Sequence, residues 1–233
     1  MFNINGIHFR IADTEELKQE IYKLRYNVYV DEFKFENPSD HPDGLEKDIY
    51  DDHSIHLVGI CRKTKKVIAT LRMVRHSSLG LPINNIKDYN FKWSEADRRN
   101  IIEVSRLTID TKFRRADSGV FFDKGTRRKS SKPVAVFGLY RLLYHESKRL
   151  GVTHWGMISE PHLHEALTTM GYLFYPIGHM IDYHGLRSPY LASLKEMESF
   201  WLEKKHKTLK FLARGLKRCY WPDAPGFRKM MIN

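Results

Sequence analysis

The chain predicts an α/β fold of the α+β kind, a mixed and mostly antiparallel central sheet with helices on both faces. Three observations carry that expectation. A strand-then-helix pattern is followed by three strand-like runs, after which helix and strand patterns alternate into the C-terminal third. The run from Asn100 to Asp110, NIIEVSRLTID, is apolar and β-branched enough to be the buried central strand. A chain of 233 residues, 42% hydrophobic and 12% aromatic, can also bury the core that one such domain needs.

Taken in order, Ile7 to Ile11 alternates in polarity and predicts a short strand, after which Asp13 or Thr14 can cap a helix. Glu15 to Asp31 carries Leu17, Ile21, Leu24, Val28 and Tyr29 at helical spacing. Arg25 lies beside that stripe, either as a surface arginine with a buried stem or as a site residue. Phe33 to Gly44, with Pro38 and Pro42, reads as a loop. An acidic segment from Glu46 to His53 leads into a strand from Ile55 to Cys61. The turn Lys63 to Lys66 then opens a strand from Val67 to Val74 with Arg72 in its middle.

Leu79 to Lys92 reads as an irregular connection, and Ser94 to Arg98 as a helical turn before the central strand. Lys112 to Lys132 is a long basic loop. Pro133 opens a helix through Val136, Leu139, Leu142 and Leu143 that stops at Gly151. Val152 to Ser159 is a strand, Glu160-Pro161 opens a helix ended by Gly171, and Tyr172 to Ile177 is another strand. Ser188 to Lys204 reads as a last helix, so residues 1–203 form one domain and residues 204–233 a basic extension.

The formal charge of +11 is concentrated in two places. Lys112 to Lys132 holds eight basic residues against two acidic ones, and Lys204 to Lys229 holds nine against Asp223. Such patches imply an anionic partner: nucleic acid, an acidic protein or a lipid surface. Cys61 and Cys219 exclude a disulfide framework and a CxxC site, and no signal-like or membrane-spanning run is present. These features predict a reducing, cytoplasmic setting, with the basic tail able to touch the inner face of a membrane.

The central strand contains charge that needs partners, because an unpaired buried charge costs several kcal/mol. Side-chain alternation puts Glu103 and Ser105 on one face and Arg106 on the other, so Glu103 and Arg106 cannot meet on a regular strand. Either each serves a different face or a bulge re-aims one of them. Arg72 likewise requires a carboxylate from Asp48, Asp51 or Glu103, while Asp48 and Asp51 can equally hold a cationic amine.

Arg25 with Val28-Tyr29, the spacing Asp48-Ile-Tyr-Asp51, Ala69-Thr-Leu-Arg72 and Glu103-Val-Ser-Arg106 together resemble the acyl-homoserine lactone synthases and the related N-acyl amino acid synthases. Glu160-Pro161 through Gly171, Pro176-Ile-Gly178 and Asp182-Tyr-His184-Gly-Leu-Arg187-Ser-Pro-Tyr190 resemble the acyltransferases associated with the PEP-CTERM/exosortase system. The resemblance covers about Arg10 to Trp201. It implies the GNAT fold with a splayed central strand pair. It also implies transfer of a medium- or long-chain acyl group from the phosphopantetheine thioester of an acyl carrier protein to a small amine, often an amino acid. No tightly bound cofactor is implied.

An ammonium must lose a proton before it can attack a thioester, so a base is required. Glu103 is the candidate, with a structural ion-pair partner as its alternative role; burial in a strand disfavours the charged form of a carboxylate. Arg25, Asp48, Asp51, Arg72, Ser105 and Arg106 are candidate substrate-binding residues, an arginine fork being suited to an acceptor carboxylate. Backbone N–H groups of the Val152 to Ser159 strand are candidates for the oxyanion. Asp182, His184, Arg187 and Tyr190 are motif residues of unassigned role.

Enzymes of this fold that use acetyl-coenzyme A carry an Arg/Gln-x-x-Gly-x-Gly/Ala loop after the central strand, which Phe113-Arg-Arg-Ala-Asp-Ser-Gly119 does not match. That favours a carrier protein over an acyl-CoA donor, docked on Arg114, Arg115, Arg127, Arg128 and Lys129. The competing functions are an acyl-homoserine lactone synthase-like or acyl-CoA-dependent enzyme, and a non-catalytic binder of carrier protein or nucleic acid. No signature of sequence-specific nucleic-acid binding is present, and His53-Ser-Ile-His56 and His162-Leu-His164 lack a third metal ligand. In the tail, Leu209, Leu212 and Leu216 form a helical stripe that fits a membrane surface, a carrier-docking element or a cap on the domain.

Overall fold

A computed structural model describes residues 1–86, 98–116, 134–182, 185–224 and 226–232. The chain divides into two compact units, Met1–Val74 with Val104–Leu142, and Arg75–Glu103 with Leu143–Asn233.

The first unit is built on strands β1 (Phe2–Ile4), β2 (Ile7–Ile11), β3 (Ser54–Cys61), β4 (Val67–Arg75) and the later part of β5 (Ile101–Ile109), adjacent in that order. β1, β2, β3 and β4 pair antiparallel, with Phe9 opposite Gly59 and Leu57 opposite Leu71. Helix α1 (Glu15–Tyr26) starts at Thr14, whose side chain accepts the Leu17 N–H at 3.3 Å. Ile21, Leu24 and Val28 bury its apolar stripe against Ala12, Val58 and Val67. The α-helix gives way at Tyr26 to a π-helical turn, Asn27–Glu32, so the expected helix to Asp31 is present with a wider last turn. The basic stretch opens with a short helix, α2 (Thr111–Ala116), whose first turn is held by Asp110 accepting the Lys112 and Phe113 N–H groups at 2.9 and 3.1 Å. The remainder of that stretch, and the expected turn before β5 except Arg98, lie outside the described residues.

The second unit contains the start of β5, then β6 (His154–Ser159), β9 (Leu186–Ser193) and β7 (Tyr175–Pro176), with β8 (Ile181–Asp182) paired to β9. β5 and β6 run parallel, and their pairing covers only Ile101–Glu103 against His154–Gly156. β6 and β9 pair antiparallel along the whole of β6. Helix α3 (Val134–Leu150) contributes to both units. It is followed by α4 (Pro161–Met170), α5 (Leu194–Lys204), α6 (His206–Ala213) and α7 (Phe227–Ile232). Gly171, at φ +93°, ends α4, and its carbonyl accepts the Trp201 indole N–H at 2.6 Å.

Several elements differ from expectation, among them α2 at the start of the basic stretch and the short strand β8. β1 was not anticipated, the strand expected over Tyr172 to Ile177 shrinks to Tyr175–Pro176, and the helix expected from Ser188 begins at Leu194. Ser188-Pro189 has the form of a helix opening, but Ser188–Ser193 instead completes the β6 ladder. The Pro189 carbonyl accepts the Ile177 N–H at 3.0 Å, and Ser193 becomes the helix cap by accepting the Glu196 N–H at 3.4 Å. Among the described residues no helix is long and apolar enough to cross a membrane.

Candidate active site

In the first unit the expected arginines and carboxylates form one buried network. Arg25, on α1, is closed to solvent. Its Nε donates to the Glu46 carboxylate, and its two Nη atoms clamp the Asp51 carboxylate at 2.7 and 3.1 Å. Arg72, on β4, donates from Nη1 to Asp48 and Asp51 at 2.6 and 3.1 Å and from Nε to the Ser105 hydroxyl at 3.0 Å. Arg106 donates from Nε to Glu46 at 2.9 Å and from Nη2 to Glu36 and Asp48 at 3.3 and 3.4 Å. Its guanidinium also lies 5.5 Å from the Tyr29 ring centre.

Ser105 and Arg106 are consecutive on β5, yet both reach this network, which strict alternation forbids. The backbone supplies the reason: Arg106 has φ +52°, a left-handed conformation uncommon outside glycine that re-aims its side chain. Of the carboxylates open to Arg72, Asp48 and Asp51 are the ones that pair with it.

Three guanidinium groups meet four carboxylates, and their protonation follows. Burial by itself would raise the Asp51 carboxyl, but Arg25 and then Arg72 hold it well below the usual carboxylate range. Glu46 is lowered in the same way, burial opposing and Arg106 then Arg25 prevailing. Burial would lower Arg106, while Glu46 and Asp48 raise it. His56 touches this set, its Nε2 lying 3.3 Å from the Asp51 carbonyl. Burial pushes the imidazole down to about 4, so it is neutral at pH 7. Arg25, Arg72 and Asp51 are nearly closed to solvent, whereas the Asp48 and Arg106 side chains retain 29% and 18% exposure.

In the second unit Glu103 is 2% exposed on β5, and its Oε2 accepts the Ile83 N–H at 2.6 Å. Ile83 belongs to the 3-10 turn Pro82–Asn85, where the Asn84 side chain accepts the Leu81 N–H at 2.8 Å. Glu103 is also the last β5 residue paired with β6, opposite Gly156. Beyond Gly156 that edge of β6 has no strand partner among the described residues.

Asp182, Arg187 and Tyr190 are placed elsewhere in this unit. Asp182 accepts the Gly185 N–H at 3.2 Å in the turn between β8 and β9, and Arg187 lies 3.6 Å from Glu160. The Tyr190 ring stacks on His164 with centroids 4.2 Å apart, and His164 contacts the Phe174 carbonyl at 2.8 Å. The side chains of Arg114, Arg115, Arg127, Arg128 and Lys129, and all of His184, lie outside the described residues.

Glu46, Glu36, Tyr29 and the Ile83 amide were not singled out as site residues from the sequence. A signal for Glu46 was present: three arginines in apolar settings demand at least three carboxylates, and Glu46 opens the same acidic segment as Asp48 and Asp51. The Ile83 amide carries no side-chain signal.

Residues 24–122 match the profile of an acetyltransferase (GNAT) domain. None of the curated proteins compared matches the sequence. Among solved structures, TofI in a ternary complex with an inhibitor and MTA superposes with a TM-score of 0.62 at 13% identity, covering 93% of this chain and 100% of that one. BjaI, a CoA-dependent acyl-homoserine lactone synthase bound to SAM and isopentyl-CoA, gives 0.61 at 16% identity over 98% of this chain and 99% of that one. FeeM, an N-acyl amino acid synthase from uncultured soil microbes, gives 0.58 at 11% identity over 83% of this chain and 93% of that one. These likenesses establish the fold. The match to an acetyltransferase (GNAT) domain profile on residues 24–122 agrees with that fold.

Proposed function

We propose that this protein forms an amide, moving a medium- or long-chain acyl group from the phosphopantetheine thioester of an acyl carrier protein to the amine of an amino acid. The observation that carries the proposal is Glu103, a nearly buried carboxylate fixed by the Ile83 N–H where the β5–β6 pairing ends. In the proposed reaction Glu103 takes a proton from the acceptor ammonium, directly or through one water, and the freed nitrogen attacks the thioester carbonyl carbon. The tetrahedral oxyanion is stabilised by backbone N–H groups of the unpaired β6 edge from Met157 to Ser159. Attack forms the C–N bond; collapse then restores the C=O bond, breaks the C–S bond and expels the phosphopantetheine thiolate, which takes up the second proton lost by the attacking nitrogen.

Arg25, Arg72 and Asp51 we assign to the frame of the first unit, because their donors and acceptors engage one another and solvent barely reaches them. Asp48, Glu36 and Arg106 remain the charged members of that network open enough to contact a small molecule. The donor preference is supported by the missing pyrophosphate loop at Phe113 to Gly119, and the acceptor class by the likeness to an N-acyl amino acid synthase.

Incubation with long-chain acyl carrier protein and a panel of amino acids, read by mass spectrometry, should give an N-acyl amino acid. Parallel reactions with acyl-coenzyme A separate the donors. Glu103→Gln keeps an acceptor for the Ile83 N–H but no base, so turnover should fall about 10²–10⁴-fold with an unchanged melting temperature. A folded Glu103→Gln variant with full turnover removes Glu103 from the mechanism.

A further inference from the structure

The tail from Lys204 to Lys229 has nine basic residues and one acid, and the structure shows what its apolar residues do. Leu209, Leu212 and Phe227 are fully buried and Leu216 nearly so. The expected stripe therefore faces inward, and among the described residues the tail exposes no large hydrophobic side chain. α5, α6 and α7 nevertheless border an open groove of about 560 Å³. Leu202 and Met230 line it as half-buried apolar side chains, and His206, Lys207, Lys210 and Lys229 line it as exposed ones. Among the described residues no carboxylate lines the groove, and none of these three lysines is engaged in an ion pair.

A shallow, cation-rimmed groove floored by two apolar side chains selects among anionic partners. A bilayer takes up a basic surface most stably through an inserted apolar side chain, and among the described residues the tail exposes none. A nucleic-acid backbone would satisfy the lysines while leaving Leu202 and Met230 without a partner. An acidic helix satisfies both terms: carboxylates meet the rim, and one protruding apolar side chain enters between Leu202 and Met230.

The geometry points to this groove as the docking site for an acidic helix of the acyl carrier protein. The assignment rests on the carrier-donor reading above and places part of the carrier's footprint on residues 202–230. Labelled apo carrier protein, which has no thioester, is titrated against the full chain by fluorescence anisotropy at low and high salt. Wild type should bind, and binding should weaken as salt rises. Combining Lys207→Glu, Lys210→Glu and Lys229→Glu should raise the dissociation constant about tenfold or more without altering the melting temperature. Met230→Asp should weaken binding separately, through the lining rather than the rim.

Equal affinity in wild type and the triple variant overturns the assignment, as does the absence of binding by wild type at low salt. So does a triple variant that loses only its binding to phosphatidylglycerol vesicles, which would make the groove a lipid contact. The titration needs no turnover. A failure of amide formation is therefore read separately, in the mass-spectrometric assay.

Discussion

Arg25 has no contact with water, and its position depends on the two carboxylates that receive three of its N–H groups, Glu46 and Asp51. Replacing it with methionine would preserve much of the apolar stem while leaving Asp51 without its principal cation and Glu46 with Arg106 alone. The expected cost is about 3–5 kcal/mol, the scale measured when one partner of a buried pair is removed. For a chain of this size that lowers the melting temperature by roughly 10 °C, which a thermal melt reads directly. Arg25→Lys should recover only part of the loss, because one ammonium cannot span Glu46 and clamp Asp51. If Arg25→Met melts with wild type, the network is not what holds this part of the unit. The need for partners around Arg72 and Arg106 was legible in the sequence, since each lies within an apolar strand pattern, whereas Arg25, beside its helical stripe, was equally compatible with a surface arginine. The identity of those partners was only half legible. Parity along β5 sends Ser105 and Arg106 to opposite faces, and nothing in the letters marks Arg106, a non-glycine residue, as left-handed.

At the scale of elements, chain ends written in proline and glycine were read well. Pro161 to Gly171 bounds a helix, and Gly151 follows α3 at φ +69°. β9 was not read, because Ser-Pro opens a helix or enters a strand with equal local comfort; β6, more than thirty residues upstream in sequence, decides between them through pairing. Close approach between elements is a second thing local patterns do not show. A Cβ added to Gly138 on α3 would sit 2.1 Å from the Phe9 ring on β2, and Phe9 is fully buried. The ring cannot retreat freely, since it also lies against Gly59 on β3, where a Cβ would come within 3.2 Å of it. Gly138→Ala should therefore destabilise the protein by about 1–3 kcal/mol despite alanine's better helix propensity. Phe9→Leu in the same chain should return part of that loss. A double-mutant cycle in urea measures the coupling, and additive effects would show that the two residues do not share this space.

For the whole molecule, net charge and the buried titrating groups act in the same direction as pH falls. Lowering the pH adds positive charge to a chain that already carries +11. His56 supplies a sharper, local contribution. Its ring meets Asp51 and lies edge-on to Tyr22 at 5.7 Å, with Arg25 and Arg72 opposing its protonation. Burial holds the folded imidazole at about 4 from an ordinary value of 6.5, so between those limits the unfolded chain binds a proton that the folded chain does not. The stability due to a neutral His56 is thus complete above pH 6.5 and is lost as the pH falls towards 4, about 3 kcal/mol over the interval. Asp51 and Glu46, both lowered in the fold, contribute with the same sign at more acidic pH: their stabilisation is present above the ordinary carboxylate range and is lost below it. The two windows can be separated by experiment. Unfolding free energies from urea titrations between pH 7.5 and pH 4.5 should fall steeply for wild type and clearly less for His56→Gln, which has nothing to protonate there. Below about pH 4.5 the two proteins should descend together as the carboxylates titrate. Parallel profiles down to pH 4.5 would mean that the neutral ring contributes nothing, leaving the global charge to account for the loss.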